Sequence, residues 1–264
     1  MPRLEIDREL CARDGLCALE CPLTLIGIDP EGWPVAGPRF EGSCIACGHC
    51  LAVCPKGCLR LDGVGQDTLP VAPPAPDVAP ETLLGFMTAR RSVRNFSRRP
   101  VPRPVIEACL DTARYAPSAL NGQPTHFLVL QDADVIRALA ERCADYLRET
   151  GRSPDFLLPF DAGRETILRD APCLVIAHAA SDAPIPPATD CVIALAYVEL
   201  AAHALGLGAC WAGILRAVAA VHAPVRELLD LPKGHAMYGG LMLGYPRFSL
   251  SHLPPRKPLR AQWR

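Results

Sequence analysis

The apolar positions of this chain fall into two regimes. In the first sixty residues the apolar runs are short: "LEI" at 4–6, "LIGI" at 25–28 and "CLRL" at 58–61. Loops rich in cysteine, glycine and proline separate them, and runs of that length suit the small strands of a compact unit. Further along, the runs lengthen and alternate in period. Helical spacing is clear in 81–92 and 103–116, and 132–150 and the almost uniformly apolar 189–208 also read as helices, while 126–132, 172–179, 209–215 and 237–246 read as strands. The pattern predicts an α+β chain, with a small N-terminal unit and a larger layered domain containing several buried helices.

Residues 64–82, "VGQDTLPVAPPAPDVAPET", have five prolines and no helical period. Such a stretch tends toward polyproline II and acts as a semi-rigid linker. The expected organisation is therefore a unit at 1–63, a linker at 64–82 and a domain at 83–264.

Composition narrows the function classes. With 27 basic and 28 acidic side chains the net charge is −1, which argues against nucleic acid as the main partner. The apolar run 191–215 contains Glu199 and His203, so it reads as a buried helix followed by a strand, not a membrane span. The charged start "MPRLEIDREL" lacks the apolar stretch of a secretory signal. A reducing, cytoplasmic setting is expected, in which clustered cysteines bind metal or do redox work.

Eight of the thirteen cysteines lie within residues 11–58; Cys109, Cys143, Cys173, Cys191 and Cys210 are isolated among apolar residues and read as core. The stretches "CARDGLCALECP" (11–22) and "CIACGHCLAVCP" (44–55) repeat at an offset of 33 residues, with Cys11, Asp14, Cys17 and Cys21 matching Cys44, Cys47, Cys50 and Cys54. The second copy is Cys-x2-Cys-x2-Cys-x3-Cys-Pro, an iron–sulfur run whose fourth cysteine serves the other cluster. Zinc would instead want two separated pairs.

Residues 1–63 thus resemble a bacterial two-cluster ferredoxin domain. The resemblance implies one 4Fe–4S cluster on Cys44, Cys47, Cys50 and Cys21, and a second on Cys11, Cys17, Cys54 and position 14. Three readings stand there: Asp14 ligates the fourth iron, the corner is vacant and the cluster is 3Fe–4S, or this cluster is lost; Cys58, four residues past Cys54, is a substitute candidate for the corner. Cys58, whose repeat counterpart is Leu25, reads as strand packing.

In the larger domain there is no GxGxxG after a strand and no P-loop lysine motif. Two stretches carry chemistry. In "ARRSVRNF" (89–96), Arg90, Arg91, Ser92 and Arg94 sit at the end of an expected helix, and guanidinium forks match phosphate oxygens. In "YAPSALNGQPTHFLVL" (115–130), a polar loop with Ser118, Asn121 and Gln123 lies between helix and strand. A solvated basic face or a plain loop would explain either one alone.

Taken with "GLGACWAG", "LMLGYP" and "PPRKPL", in this order over residues 83–264, they resemble the nitroreductase flavoproteins. The resemblance implies a mixed sheet flanked by helices and a homodimer binding FMN at its interface. It places Arg90, Arg91, Ser92 and Arg94 on the flavin phosphate and ring edge. Pro117, Ser118, Ala119 and Asn121 would approach from the other subunit, backbone N–H groups of Ala212 and Gly213 would face the redox-active nitrogen, and Arg256 or Lys257 would close on the phosphate. No catalytic side chain is implied, because the cofactor supplies the hydride; His126 reads as structural.

The combination implies an enzyme carrying electrons from a low-potential donor, ferredoxin-like or NAD(P)H-linked, through two clusters to FMN. A small electron-poor acceptor such as a nitroaromatic, quinone or activated alkene would be reduced there. Other readings stay open: an NAD(P)H-dependent reductase feeding the clusters, an electron-transfer or redox-sensing protein without turnover, or a site taking flavin as substrate.

Overall fold

The structure is a computed structural model that describes residues 2–73 and 78–264. Two compact units emerge: one of Met1–Asp77 with Leu120–Gly122, the other of Val78–Ala119 with Gln123–Arg264.

The first unit repeats the symmetry of its sequence. Its elements are β1 (Leu4–Ile6), α1 (Leu16–Glu20), β2 (Ile26–Ile28), β3 (Pro34–Ala36), α2 (Phe40–Ser43), α3 (His49–Val53), β4 (Leu59–Leu61) and β5 (Val64–Gly65). β1 pairs antiparallel with β4, Leu4 opposite Leu61, and β2 pairs with β3. The equivalent helices α1 and α3 are each preceded by a left-handed glycine, Gly15 (φ 71°) and Gly48 (φ 74°), a conformation that glycine adopts without steric cost. Leu25, Ile26, Phe40, Leu51, Leu59 and Leu61 form the core together with Cys17, Cys50, Cys54 and Cys58.

This unit runs past residue 63. Asp62 and Gly63 both have positive φ (51° and 78°), the conformation of a two-residue hairpin turn that returns the chain onto its own strand. β5 consequently pairs with β4, Leu61 opposite Val64. A single 3-10 turn, Gln66–Thr68, follows, and Gln66 Nε2 donates to the Cys54 carbonyl at 2.9 Å. The proline-rich reading begins only after these contacts, and its residues 74–77 lie outside the described residues. The second unit begins with a helix at Pro80, where proline suits the first turn.

In the second unit the elements are α4 (Pro80–Ala89), α5 (Arg103–Ala113), β6 (His126–Leu130), α6 (Ala133–Thr150), α7 (Pro154–Asp161), β7 (Cys173–Ala180), α8 (Ala188–Ala204), β8 (Gly208–Trp211), α9 (Gly213–Ala219), α10 (Ala223–Leu229) and β9 (His235–Gly244). The sheet order is β6-β7-β9-β8 with antiparallel neighbours, and a parallel bridge joins Ser92 to Ala209 on β8. β7 is buried on both faces. Its Leu174 and Ile176 enter the core shared with α6, α9 and α10, while Cys173, Val175, Ala177 and Ala179 enter the core shared with α5 and α8. Helices therefore cover both sides of the sheet, and the run 173–179 is apolar without alternation.

Two local expectations change. The strand expected over 209–215 ends at Trp211, because the Ala212 N–H donates to Gly240 and the Ala212 carbonyl accepts from Arg216, opening α9. Helices α7 and α10 lie in stretches where the sequence reading saw no element, although each has proline in its first turn.

Candidate functional site

The cysteine loops come first. Cys21, Cys44, Cys47 and Cys50 line one pocket with Leu25, Ile26 and Phe40, so the second repeat and the remote cysteine of the first meet as the motif requires. Backbone N–H groups point at these sulfurs: Leu25 donates to Cys21 Sγ at 3.3 Å, and Leu51 to Cys50. Burial, with the neighbouring Cys47, still pushes the Cys50 thiol up to about 11.

The other set gathers Cys11, Cys17 and Cys54. Burial raises the Cys17 thiol, and charge on Cys54 and Cys11 acts in the same direction. The Arg13 N–H donates to Cys11 Sγ at 3.4 Å. Burial also acts upward on Cys54, but the backbone N–H groups of Cys58, Lys56 and Gly57 and the Cys58 thiol outweigh it and hold Cys54 below the ordinary thiol range. Asp14 is exposed, and its Oδ1 accepts the Leu16 N–H at 3.1 Å at the start of α1.

This donor set suits clusters. N–H···S contacts disperse thiolate charge, as iron–sulfur loops demand. Among the described residues no three His, Cys, Asp or Glu side chains converge on a point that one ion could occupy. Cluster ligands have no such requirement, since each thiolate takes its own iron corner.

In the second unit the arginine stretch is tied to β8. The Val93 N–H donates to the Ala209 carbonyl at 2.8 Å. A Cβ at Gly208 would collide with the Val93 side chain, so glycine is what permits the close approach. Arg90 donates to Glu199 Oε1 at 2.8 Å, and Trp211 Nε1 donates to Glu199 Oε2 at 3.2 Å. Arg91 donates to the Arg90 carbonyl at 2.6 Å, while its buried Nε finds no partner among the described residues. Arg94 is exposed and Ser92 half-buried. An orphaned guanidinium nitrogen beside two further arginines is the arrangement an anionic group would complete.

The loop after α5 is anchored on the N-terminal turn of α8. The Ala119 N–H donates to Asp190 Oδ1 at 3.2 Å, and the Gln123 N–H donates to Ser118 Oγ at 3.0 Å. Pro117, Ser118, Gln123 and Asp190 line a pocket of about 100 Å³. Leu120, Asn121 and Gln123 all have positive φ (49°, 54° and 44°), an accumulation of non-glycine residues in a sparsely populated region that tends to mark functional loops. Asn121 groups with the first unit.

The Ala212 N–H is engaged by the Gly240 carbonyl at 2.9 Å, and Gly213 opens α9, where a Cβ would meet nothing within 4 Å. Arg256 and Lys257 are exposed on the irregular C-terminal segment, Arg256 donating to the adjacent Pro255 carbonyl. His126 packs its ring with His178 and His235. Sequence reasoning missed the two acids that position these stretches, Glu199 and Asp190. Both are buried in the otherwise apolar α8, and a carboxylate in so apolar a helix was the available signal.

Comparison with known proteins agrees with this division. The "Nitroreductase family" model matches residues 87–245, and the "4Fe-4S dicluster domain" model matches residues 3–55. A Methanothermobacter thermautotrophicus relative with the provisional name NADH dehydrogenase/NAD(P)H nitroreductase is 30% identical over 167 residues, covering 62% of this chain and 77% of its own. The FMN reductase [NAD(P)H] of Bacillus subtilis is 27% identical over 194 residues, covering 66% and 70%. A Bacteroides fragilis nitroreductase, solved with bound FMN, aligns at a TM-score of 0.55 with 28% identity, covering 68% of this chain and 95% of its own. No helix among the described residues is long and apolar enough to cross a membrane. With the family model spanning most of the sheet and its helices, and the iron–sulfur model spanning the cysteine repeats, this chain belongs to the nitroreductase family and carries a two-cluster ferredoxin-like unit at its N-terminus.

Proposed function

We propose that this FMN-dependent oxidoreductase takes electrons one at a time from a low-potential donor into its iron–sulfur unit and uses them to reduce a small electron-poor acceptor at the flavin. The observation that carries the reading is the presence, on one chain, of two sets of cysteines wrapped by N–H donors and a nitroreductase domain. The clusters supply one-electron transfer, and the bound flavin supplies two-electron reduction of a substrate. The protein contributes position and charge.

In this reading Cys21, Cys44, Cys47 and Cys50 hold one cluster, and Cys11, Cys17 and Cys54 hold the other with Asp14. Arg91, Ser92 and Arg94 bind the flavin phosphate, and Arg90 is held beside them by Glu199. The loop 117–121 serves the flavin of a second subunit in a homodimer. The bound FMN of the Bacteroides fragilis nitroreductase supports the cofactor assignment, and the Bacillus subtilis FMN reductase [NAD(P)H] keeps a nicotinamide donor as the second reading.

Anaerobic purification with counts of iron, sulfide and flavin tests the assignment. Seven or eight iron and one FMN per chain are expected. Zinc in place of iron, or absence of flavin, would overturn it. Reduction of the flavin by a low-potential ferredoxin but not by NAD(P)H separates the two donor readings.

A further inference from the structure

The two cysteine sets are related by the 33-residue repeat, and besides Asp14 opposite Cys47 a further position breaks the match. Cys58 stands four residues after Cys54, and its counterpart four residues after Cys21 is Leu25. Both side chains are buried, Cys58 at 5% and Leu25 at 3% exposure. In both places the backbone N–H of this residue donates to the sulfur four residues earlier, Leu25 to Cys21 Sγ at 3.3 Å and Cys58 to Cys54. The backbone arrangement is shared, so the side chain is the difference.

Cys58 Sγ lies 3.4 Å from Cys54 Sγ and also within hydrogen-bonding reach of Cys11. A sulfur–sulfur separation of this size is a hydrogen-bond contact. It is also too close for two thiolates that each take a separate corner of one cluster. Cys58 packs with Leu59, Leu61 and Leu51 in the core of its unit.

We propose that Cys58 is a positioning residue for the cluster site of Cys11, Cys17 and Cys54: its thiol donates an S–H···S hydrogen bond to the Cys54 sulfur, with Cys11 as the neighbouring acceptor, and thereby shifts the potential of that cluster. The proposal rests on the reading of Cys11, Cys17 and Cys54 as cluster ligands. A donor to a ligand sulfur stabilises the reduced, more negative cluster and moves its potential upward, hydrogen bonds to sulfur being one of the levers that set such potentials. At the other site the Leu25 N–H makes the equivalent contact to Cys21 Sγ, and an inert leucine side chain stands where this donor would be. Leucine at the repeat-equivalent position means that single substitutions can remove this donor from one site or add it to the other, separately from the Asp14-for-Cys47 difference between the repeats.

The test uses the full chain, purified anaerobically, with iron and sulfide counts and a redox titration followed by electron paramagnetic resonance. Cys58→Ala should keep the parent's iron count and shift one of the two midpoint potentials to more negative values. Cys58→Ser, which retains a hydroxyl donor, should recover most of that shift. Leu25→Cys should raise the other midpoint and leave the first in place. Unchanged potentials in Cys58→Ala would overturn the proposal. So would loss of iron in Cys58→Ala that serine fails to restore, because Cys58 would then be a ligand. Absence of iron and sulfide from the parent protein would instead overturn the cluster reading beneath it.

Discussion

Arg90 on one side of the candidate flavin site is held by Glu199 of α8, Nη1 to Oε1 at 2.8 Å. The acid is buried and the arginine partly so, with side chains 9% and 28% exposed. The same carboxylate accepts the indole N–H of Trp211, so one side chain ties the arginine stretch to the end of β8. Removing it strands a guanidinium and an indole donor at once. Hydrogen bonds to charged groups are worth roughly 1.5–3 kcal/mol, so Glu199→Ala should lower the melting temperature by roughly 5–10 °C and weaken flavin retention. Glu199→Gln, which keeps an acceptor, should lose less. A Glu199→Ala protein that melts with the parent would show that the pair contributes nothing.

Arg94 is exposed and has a different part. Arg94→Ala should leave the melting temperature of the apoprotein within error and reduce FMN affinity about tenfold or more, the equivalent of roughly 1.5–3 kcal/mol for one charge-assisted contact. Flavin release on dilution, followed by fluorescence, reads this directly. Equal retention in parent and variant would return Arg94 to a solvated basic face.

Asp14 has two separable properties, an acceptor oxygen on the Leu16 N–H and a negative charge available to iron. Asp14→Asn keeps the first and loses the second. If the carboxylate ligates iron, mild oxidation of Asp14→Asn should give the 3Fe–4S resonance more readily than the parent does. Asp14→Cys should suppress it by completing the thiolate set. An asparagine variant with the parent's resistance to oxidation would leave Asp14 as a turn residue.

His178 is buried between His126 and His235, with its Nδ1 2.9 Å from that of His235. Burial first, then the charges of His235 and His126, bring it from 6.5 down to about 4. The folded protein therefore keeps this ring neutral where the unfolded chain protonates it. Its contribution is fully present above about pH 6.5 and is lost as the pH falls toward 4. Melting temperature should drop more steeply between pH 7 and pH 5 for the parent than for His178→Gln, the difference removing what acid does to the clusters. Parallel curves would contradict the assignment.

Much of this was legible in one dimension. Ligand spacing within an iron–sulfur loop is local, so Cys44, Cys47 and Cys50 could be grouped from the sequence, the ferredoxin resemblance added the remote Cys21, and the four line one pocket. The periodic α6 and the almost uniformly apolar α8 were legible too, because 3.6-residue spacing and long apolar runs are properties of the chain itself. The extension of the first unit past residue 63 was not, although the signal was present. It lay in the Asp62–Gly63 turn, whose two positive φ values fold Val64 and Gly65 back onto β4.

What the sequence by itself determined is the inventory: two quasi-equivalent cysteine sets, a polar loop between helix and strand, and an arginine stretch at a helix end. Tertiary structure alone decided which polar atoms satisfy one another. Glu199 and Asp190, distant in sequence from Arg90 and Ala119, became their partners because a buried carboxylate must find a donor wherever packing brings one near. Cys58, the fifth residue of "CPKGC", meets Cys54 through a local turn, but its place beside Cys11 depends on the tertiary fold, in which β4 pairs with β1.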